Sequence, residues 1–507
     1  MRFCNDYRLF SIIIVALLFV FSIGCSENVP TDGEAYDVAD PSVQYNEYLN
    51  DSEDQTDFSH TRQEDDPEVA SARYQLDNPD VVVLLQSKIY AIPLYEAAQL
   101  FFHLDDLFDR DNGTIWGIPL HVPILFYDTE TREFVANRPD PDGMLEKLGG
   151  VYLGVLPDDL MIFDGVVTYS YFSGERWILV PWITLERNDT SYNLRTLSHK
   201  AFHWHQPAFL GEFKSYNNSH MNEIEARISI RLEINALIFA LRFEEEYRLA
   251  AIHDALVIRA ERRRVFGRDE DENAFELSEG LAQYIEWGLE LEREGTIMDM
   301  RLLEFLLSVG DSMVQGDSLE RGFGYTSGAL YALLLNRADP SWMQAVNGDS
   351  DLGMMLKEAV GINTLLSIDE IDLERYGYTY ITSQESVWAT ARERLIEQIT
   401  ESLASDPVLR FFYDHVEIKG STIQGHWVTI PGFGVVSRGD PQLIGSFGNL
   451  LVTNGDLIFS DIERAWMIVA FDIEFGEGWV SGSTWLLELN DGYEVQRDGK
   501  DFIVKRT

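Results

Sequence analysis

The chain has 507 residues and a formal net charge of −46, with 85 Asp and Glu residues against 39 Lys and Arg residues. This charge argues against nucleic acid as a partner, because a phosphate-binding protein needs a basic face. The sequence contains two cysteines, Cys4 and Cys25. The body after Cys25 therefore depends on a hydrophobic core and not on a disulfide framework.

The first 25 residues have the pattern of a secretory signal. Arg2 and Arg8 precede an apolar run over residues 9–23, which is shorter than the roughly 20 residues that a membrane span needs and is followed by Gly24 and Cys25. Residues 21–25 resemble a bacterial lipobox, which predicts lipidation of Cys25 and a lipid anchor in the cell envelope. Ordinary cleavage and an uncleaved anchor are the alternatives. Ser26 replaces a known inner-membrane retention aspartate, so the outer membrane is favoured by analogy.

Residues 26–76 are predicted to be an acidic, disordered spacer. Residues 26–70 contain fourteen acidic residues against the single Arg62, with Pro, Ser, Asn and Gln between them. Such a segment buries too little apolar surface to offset the entropy lost on ordering. We interpret it as an extended tether. Calcium binding by its carboxylates is the alternative interpretation.

Folding is predicted to begin near Asp77, with an N-terminal α+β subdomain over residues 77–194. Apolar positions at helical spacing predict a helix over residues 93–110. Strand-like segments follow at residues 122–126, 150–154, 165–171 and 177–180. The segment from Asp109 to Gly113 is interpreted as a turn, because its glycine comes too early for a calcium-binding loop.

Residues 195–402 are predicted to form a helical subdomain, with helices over residues 222–242, 247–266, 275–291 and 318–337. Gly322, Gly324 and Gly328 are expected to let helices approach closely. The basic cluster in residues 259–264 is interpreted as cations at a helix C-terminus before Gly267, in preference to an anion site. After residue 403 the pattern changes to strands and turns, which predicts a small β-rich C-terminal module over residues 403–507 and an α+β fold class.

One helix carries a pattern with chemical meaning. His199 and His203 are four residues apart, so they lie on one helix face with Cβ atoms about 6 Å apart and can bind one metal ion. In zinc peptidases of this pattern the residue after the first histidine is a glutamate that acts as the general base. Here this position holds Lys200.

The sequence around this motif resembles known families. Residues 275–284 are similar to the second helix of gluzincin peptidases, in which the matching glutamate, Glu279 here, is the third zinc ligand. A wider resemblance, over about residues 90–340, is to a poorly characterised bacterial family of secreted metallopeptidases with the pattern His-Glu-x-Phe-His-x-x-Gln. The residues that carry it are Trp116, Gly117, Ala136, Asn137, His199, Phe202, His203, Gln206, Arg231, Leu232, Glu233, Ala236, Leu237, Ala255, Leu256, Arg259, Arg262, Arg263, Arg264, Glu276, Glu279, Gly280 and Tyr284. The resemblance implies a zincin-like fold and a zinc ion as cofactor.

Lys200 bears directly on activity. An ammonium accepts no proton at neutral pH unless its pKa falls by several units, and loss of a positioned base lowers the rate by about 10² to 10⁴. Glu276 is the candidate substitute base, and its alternative role is to orient a histidine. Tyr325 is a candidate for stabilising an oxyanion, and packing is the alternative. Gln206 is a candidate hydrogen-bond donor beside the site, whereas His205, His220 and His253 are interpreted as ordinary histidines.

Three hypotheses follow from this sequence. The first is a zinc-peptidase-like lipoprotein that is catalytically impaired at Lys200 and binds a peptide or an envelope protein. The second is an active zinc peptidase with a substitute base. The third is a surface lipoprotein without metal, in which Lys200 pairs with Glu279.

Overall fold

The computed structural model describes residues 73–157, 160, 162, 167–211, 214–243, 245–293, 319–422, 425–430 and 432–507. The predicted signal, the predicted lipidation site Cys25 and nearly all of the predicted spacer lie outside these residues. Among the described residues, no helix combines the length and the apolar character that a membrane crossing requires.

The N-terminal part consists of two helices and a mixed sheet. The helix from residue 94 forms because its apolar residues recur on one face, and it ends at Asn112, whose left-handed conformation (φ 42°) lets its N–H bond to the carbonyl of Phe108. Arg73 and Tyr74 already belong to the packed body, since Tyr74 is fully buried and donates to Asp105 over 2.8 Å. The described packing therefore includes residues 73 and 74, at the C-terminal end of the predicted spacer. The elements are α1 (Pro79–Ser87), α2 (Leu94–Asp111), β1 (Ile124–Tyr127), β2 (Glu133–Ala136), β3 (Glu146–Leu148), β4 (Val151–Val155), β5 (Thr168–Phe172) and β6 (Glu175–Pro181).

These six strands form one sheet in the order β3-β4-β2-β1-β6-β5. β1 and β6 are parallel and the other pairs are antiparallel. One face packs in the same hydrophobic core as the central helices, and the other face has its own core around Trp177 and Phe134. The edge strand β5 lies beside the helix of the histidines, because the Tyr169 hydroxyl donates to the carbonyl of Lys200 over 3.0 Å.

The central part is helical, as predicted. Its elements are α3 (Thr190–His205), α4 (Pro207–Leu210), α5 (Ile224–Arg242), α6 (Glu245–Phe266), α7 (Asp269–Phe275), a π-helical turn (Glu276–Gly280), α8 (Leu281–Arg293), α9 (Leu319–Ala338), α10 (Leu352–Ala359) and α11 (Tyr378–Ser405). Short 3₁₀ segments cover Trp182–Thr184, Ser219–Asn222, Trp342–Ala345, Ile368–Glu370 and Leu373–Tyr376. The hydrophobic core extends from Tyr74 to Ile381, so the predicted N-terminal and helical subdomains share one core.

The C-terminal part is the predicted β-rich module. Its strands are β7 (Val408–Phe412), β8 (Ile418–Thr422), β9 (Gly425–Ile430), β10 (Gly434–Gly439), β11 (Gln442–Gly445), β12 (Gly448–Val452), β13 (Gly455–Ser460), β14 (Ala465–Val469), β15 (Glu474–Gly476), β16 (Trp479–Ser481), β17 (Trp485–Leu489), β18 (Tyr493–Asp498) and β19 (Asp501–Arg506). They form a seven-stranded sheet, β18-β19-β7-β14-β13-β10-β9, and a six-stranded sheet, β15-β16-β17-β12-β11-β8. Apolar residues of both sheets share one core. The two sheets therefore face each other, as in a β-sandwich.

Helix α11 joins the sandwich to the helical part. Ile399 lies in a second apolar cluster with Val408 and Met467, on the face of the seven-stranded sheet that is turned away from the sandwich core. Near its start, Glu385 of the same helix forms buried ion pairs with Arg227 and Arg231 of α5. The α+β fold class and the β-rich C-terminal module are confirmed, since helices and sheets both contribute large shares and the last hundred residues are strands.

Candidate metal centre

Helix α3 positions the two histidines. The side chain of Asp189 caps its first turn by accepting from the N–H of Tyr192 over 2.9 Å. Leu197, Ala201 and Phe202 bury the opposite face of the helix in the core. The spacing of four residues then places both imidazoles on the remaining face, directed at the π-helical turn.

Three ligand atoms meet at this face. The Nε2 atoms of His199 and His203 are 3.0 Å apart, and Oε2 of Glu279 is 3.2 Å from each of them. We call His199, His203 and Glu279 the ligand group. Within the described part of the chain it is the one group of three His, Cys, Asp or Glu side chains close enough to share an ion. The structure thus brings together the three residues that the sequence predicted as ligands.

Gln206 fixes the tautomer of His203. Its amide nitrogen lies 2.6 Å from the carbonyl oxygen of Ser278 and 3.3 Å from that of Leu277, and both can only accept a hydrogen bond. The amide oxygen of Gln206 therefore faces Nδ1 of His203, at 2.6 Å, and must accept from it. The proton then resides on Nδ1, which leaves the lone pair of Nε2 directed at the ligand group.

Gln206 therefore has two roles. Its amide nitrogen donates, as predicted, to the backbone carbonyls that precede Glu279. Its amide oxygen accepts a hydrogen bond from His203. One amide thus connects the helix that carries the histidines to the turn that carries the third ligand.

Glu286 stands in a similar relation to His199. Its Oε2 is 3.4 Å from Nδ1 of His199, and its other oxygen is 3.7 Å from Arg195. This carboxylate favours a proton on Nδ1 of His199, so that Nε2 of this ring also presents a lone pair. Glu286 was not among the residues predicted from the sequence. The available signal was its position seven residues after Glu279, two turns further along the same helix face.

The charge state of the ligand group suits a cation. Burial is the largest influence on the pKa of His203 and lowers it, although Glu279 acts in the opposite direction, so the ring is neutral at pH 7. Burial alone would raise the pKa of Glu279, but His203 and His199 hold it well below its usual range. Glu279 is therefore a carboxylate and His203 a neutral imidazole at pH 7. Acceptor atoms this close repel one another unless a proton or a cation lies between them.

The donor set and its spacing fit zinc. Two imidazole nitrogens and one carboxylate oxygen form a ligand set that catalytic zinc sites use, with a fourth position left for water or substrate. Bonds of about 2.0 to 2.1 Å in a tetrahedron place ligand atoms about 3.3 Å apart, close to the separations of 3.0 and 3.2 Å seen here. The hydrogen bond that Nδ1 of His203 donates to Gln206 is of the kind that metal-binding histidines make, and the Glu286 carboxylate lies 3.4 Å from Nδ1 of His199.

Glu279 lies on the π-helical turn Glu276–Gly280 between α7 and α8. Such turns interrupt an α-helix with one extra residue and are frequent at functional sites. The turn packs against α9 without side chains between them. A Cβ at Gly280 would lie 2.6 Å from the Gly328 Cα, and one at Gly324 would lie 2.6 Å from the ring of Phe275.

The glycines of α9 thus allow the predicted close approach at Gly324 and Gly328, whereas Gly322 has open space around it. Gly280, the residue after Glu279, makes its close contacts with Gly324 and Gly328 of α9.

Glu276 faces away from the ligand group. It is fully buried, and its Oε1 accepts hydrogen bonds from Arg259 over 2.8 Å and from the Ser327 hydroxyl over 2.7 Å. These contacts belong to a larger assembly that we call the arginine–glutamate cluster. It consists of Arg259, Arg262, Arg263, Glu233, Glu272, Glu276 and Asp351.

The basic cluster on α6 therefore has a different role from the one that the sequence indicated. Arg259, Arg262 and Arg263 are buried and paired with carboxylates, and the exposed Arg264 pairs with Glu261 on its own helix. Helix α6 does end before Gly267, which adopts a positive φ of 63°. The interpretation as helix-end cations missed the buried partners.

The remaining candidates lie at different distances from the ligand group. Tyr325 stacks on the imidazole of His199, with ring centroids 5.9 Å apart and planes 19° apart. Lys200 is partly exposed, and its charge adds a small lowering to the pKa of His203, which burial lowers most. Both residues therefore border the ligand group, whereas Cys25 lies outside the described residues.

The other histidines have environments of their own. His220 lies 3.0 Å from Glu272, and His253 accepts from the N–H of Leu366 over 3.2 Å. Burial lowers the pKa of His205 to about 4, with Arg176 acting in the same direction. These three side chains lie outside the ligand group.

Fold and site together define an α+β protein in which two histidines of one helix and a glutamate of the π-helical turn lie close enough together to share one metal ion. Family models, curated proteins and solved structures were compared with the chain, and none of them matches.

Proposed function

We propose that the protein is a membrane-tethered, zinc-metallopeptidase-like lipoprotein of the bacterial cell envelope that binds zinc through His199, His203 and Glu279 and is impaired in hydrolysis. One observation carries the proposal. Three ligand atoms are held within 3.2 Å of one another, the Gln206 amide puts the proton of His203 on the far side of its ring, and the Glu286 carboxylate lies 3.4 Å from Nδ1 of His199.

When bound, zinc acts as a Lewis acid and lowers the pKa of a coordinated water molecule. The residues of this chain supply the remaining functions unevenly. His199, His203 and Glu279 hold the ion, and Gln206 and Glu286 orient the imidazoles. Tyr325, stacked on His199, borders the same space.

The chain lacks a proton acceptor at the position of the general base. Lys200 follows His199 directly, and an ammonium with an ordinary pKa near 10.4 accepts no proton at pH 7. Glu276 is poorly placed to replace the base, because its carboxylate is fully buried and bonded to Arg259 and Ser327. This placement favours an impaired enzyme over an active one with Glu276 as the base. The protein would then act by binding a peptide or an envelope protein.

Metal analysis tests the metal site. We expect about one zinc ion per chain in the purified wild-type protein and a large loss of zinc in His203→Ala, with Phe209→Leu as a control that alters nearby packing without touching a ligand. Wild-type protein without stoichiometric zinc, or equal zinc in His203→Ala, contradicts the proposal.

Peptide cleavage tests the impairment. We expect the wild-type protein to show no chelator-sensitive cleavage of a peptide library. Lys200→Glu should gain activity, because a positioned base contributes about 10² to 10⁴ in rate, and Lys200→Gln serves as the control that removes the charge without adding a base. Chelator-sensitive cleavage by the wild-type protein would show instead that another group acts as the base.

A further inference from the structure

The π-helical turn carries two glutamates with opposite surroundings. Glu279 contacts His199 and His203, and Glu276, three residues earlier, contacts Arg259 and Ser327. Both are almost completely buried. The turn therefore connects the ligand group to the arginine–glutamate cluster within one turn of helix.

Side chains of two helices hold the carboxylate of Glu276. Arg259, from α6, approaches both of its oxygens and also reaches Glu233 of α5 over 3.1 Å. Ser327, from α9, donates to Oε1. Since α6 and α9 both hold this carboxylate, and Arg259 is itself bonded to α5, the start of the π-helical turn has little freedom to rotate.

Helix α9 meets the turn directly. A Cβ at Gly328 would lie 2.7 Å from the carbonyl oxygen of Glu276, so the two backbones are in contact. Ser327 and Gly328 are adjacent in sequence, and the hydroxyl and the backbone contact therefore act on the same residue of the turn. Tyr325, two residues earlier, stacks on His199.

We propose that Glu276 and Ser327 are positioning residues, which set the rotation of the π-helical turn so that Glu279 faces the two histidines. The proposal rests on the proposed metal site and deepens it. Arg259 neutralises Glu276 and anchors it to α6, and Ser327 selects the orientation of its carboxylate. Rotation of the turn by a few tens of degrees would move Glu279 away from Nε2 of both histidines, and the site would lose its third ligand.

Co²⁺ binding provides the test, because this ion takes the place of zinc and its absorption bands report the ligand geometry. We expect Ser327→Ala and Glu276→Gln to weaken Co²⁺ binding about 10- to 100-fold, the range for outer partners of metal ligands, and to shift the absorption bands. The variants are made in the full-length protein, and the unfolding of each metal-free variant is measured in urea.

Tyr331→Phe is the matched control. The Tyr331 hydroxyl donates to Glu233 over 2.7 Å, so this variant removes one hydrogen bond from the same cluster without touching the turn. We expect its Co²⁺ affinity within about twofold of wild type and an unchanged spectrum, even if its stability to urea falls as much as that of Ser327→Ala.

The outcomes are distinguishable. If the wild-type protein binds Co²⁺ and folded Ser327→Ala binds it with the same affinity and the same spectrum, the positioning role is overturned and the metal site is not. The positioning role is also overturned if Tyr331→Phe loses as much Co²⁺ affinity as Ser327→Ala. If Glu276→Gln fails to fold, Ser327→Ala decides the matter, because it removes a single hydroxyl. A wild-type protein that binds no Co²⁺ overturns the proposed metal site and the positioning role with it.

Discussion

Two buried polar groups meet on the π-helical turn and differ in how their charges are balanced. The arginine–glutamate cluster pairs Arg259, Arg262 and Arg263 with four carboxylates of the same chain. In the ligand group a carboxylate and two imidazole rings lie within 3.2 Å of one another. A buried charge is tolerated only when it is paired. The first group therefore balances its charges within the fold, whereas the second has the composition of a site that a cation would complete.

The largest expected effect on stability comes from removing one arginine of the arginine–glutamate cluster. Arg262 bonds to both oxygens of Glu272, over 2.8 and 2.9 Å, and also pairs with Glu233. Arg262→Met leaves two buried carboxylates without this partner and should lower the free energy of unfolding by about 3 to 5 kcal/mol. Urea denaturation of the metal-free protein measures the loss. Arg264→Met is the control, since Arg264 is exposed and should have little measurable effect; a similar loss in both variants would contradict the role of the cluster.

The contact between α9 and the turn is expected to be nearly as sensitive. Gly328→Ala places a Cβ 2.7 Å from the carbonyl oxygen of Glu276, and the resulting shift of backbone should cost about 1 to 3 kcal/mol. Gly322→Ala on the same helix meets open space and should be neutral or stabilising by up to about 1 kcal/mol. Thermal unfolding of both variants checks the pair. Equal melting temperatures would show that α9 and the turn separate without cost.

A substitution of Gln206 tests the ligand group in the same way. Gln206→Leu removes the acceptor for Nδ1 of His203 and the donor to Ser278, and zinc affinity should fall about 10- to 100-fold. Competition with a chromophoric chelator measures the affinity. Gln344→Leu, on a 3₁₀ segment of the same helical part, is a control with the same change of side chain. Unaltered zinc affinity in Gln206→Leu would mean that His203 needs no partner on Nδ1.

The smallest expected effect depends on pH. Burial by itself raises the pKa of Asp351, but Arg259 and Arg263 bring it down to about 2. Because the pKa is lower in the folded than in the unfolded state, this carboxylate stabilises the fold above about pH 4 and loses that effect as the pH falls toward 2. Asp351→Asn, which keeps an oxygen for the cap of α10, should lose about 2 kcal/mol at pH 7 and about half of that at pH 3.

Urea denaturation at the two pH values measures this difference. Asp349→Asn is the control, because Asp349 is exposed and pairs with Lys214 at the surface. A loss in Asp351→Asn that is the same at pH 7 and pH 3 would contradict the lowered pKa.

Local patterns predicted much of the fold and the ligand group. The periodicity of residues 93–110 predicts a helix close to Leu94–Asp111, and the strand predicted at residues 177–180 lies within Glu175–Pro181. His199 and His203 are four residues apart, so their convergence needed only a helix. Glu279 came from resemblance, and the structure brings it to both rings.

What the sequence did not reveal depends on distant contacts. The apolar pattern of residues 275–291 predicts one continuous helix, because the extra residue of a π-helical turn leaves no local signature in composition. The partners of Arg259 lie on three other segments, at Glu233, Glu276 and Asp351, so a helix-end interpretation was the nearest local explanation. Likewise, the sandwich depends on pairings such as β7 with β19, almost a hundred residues apart.

The π-helical turn also makes the chain sensitive to a change of length. A π-helical turn contains one residue more than a turn of the surrounding α-helix. Successive residues of an α-helix are rotated by about 100° about the helix axis. Deletion of one residue between Glu276 and Glu279 would restore an uninterrupted α-helix and leave either Glu276 facing Arg259 or Glu279 facing the histidines, but not both. The length of this turn is therefore as much a part of the site as the identities of its side chains.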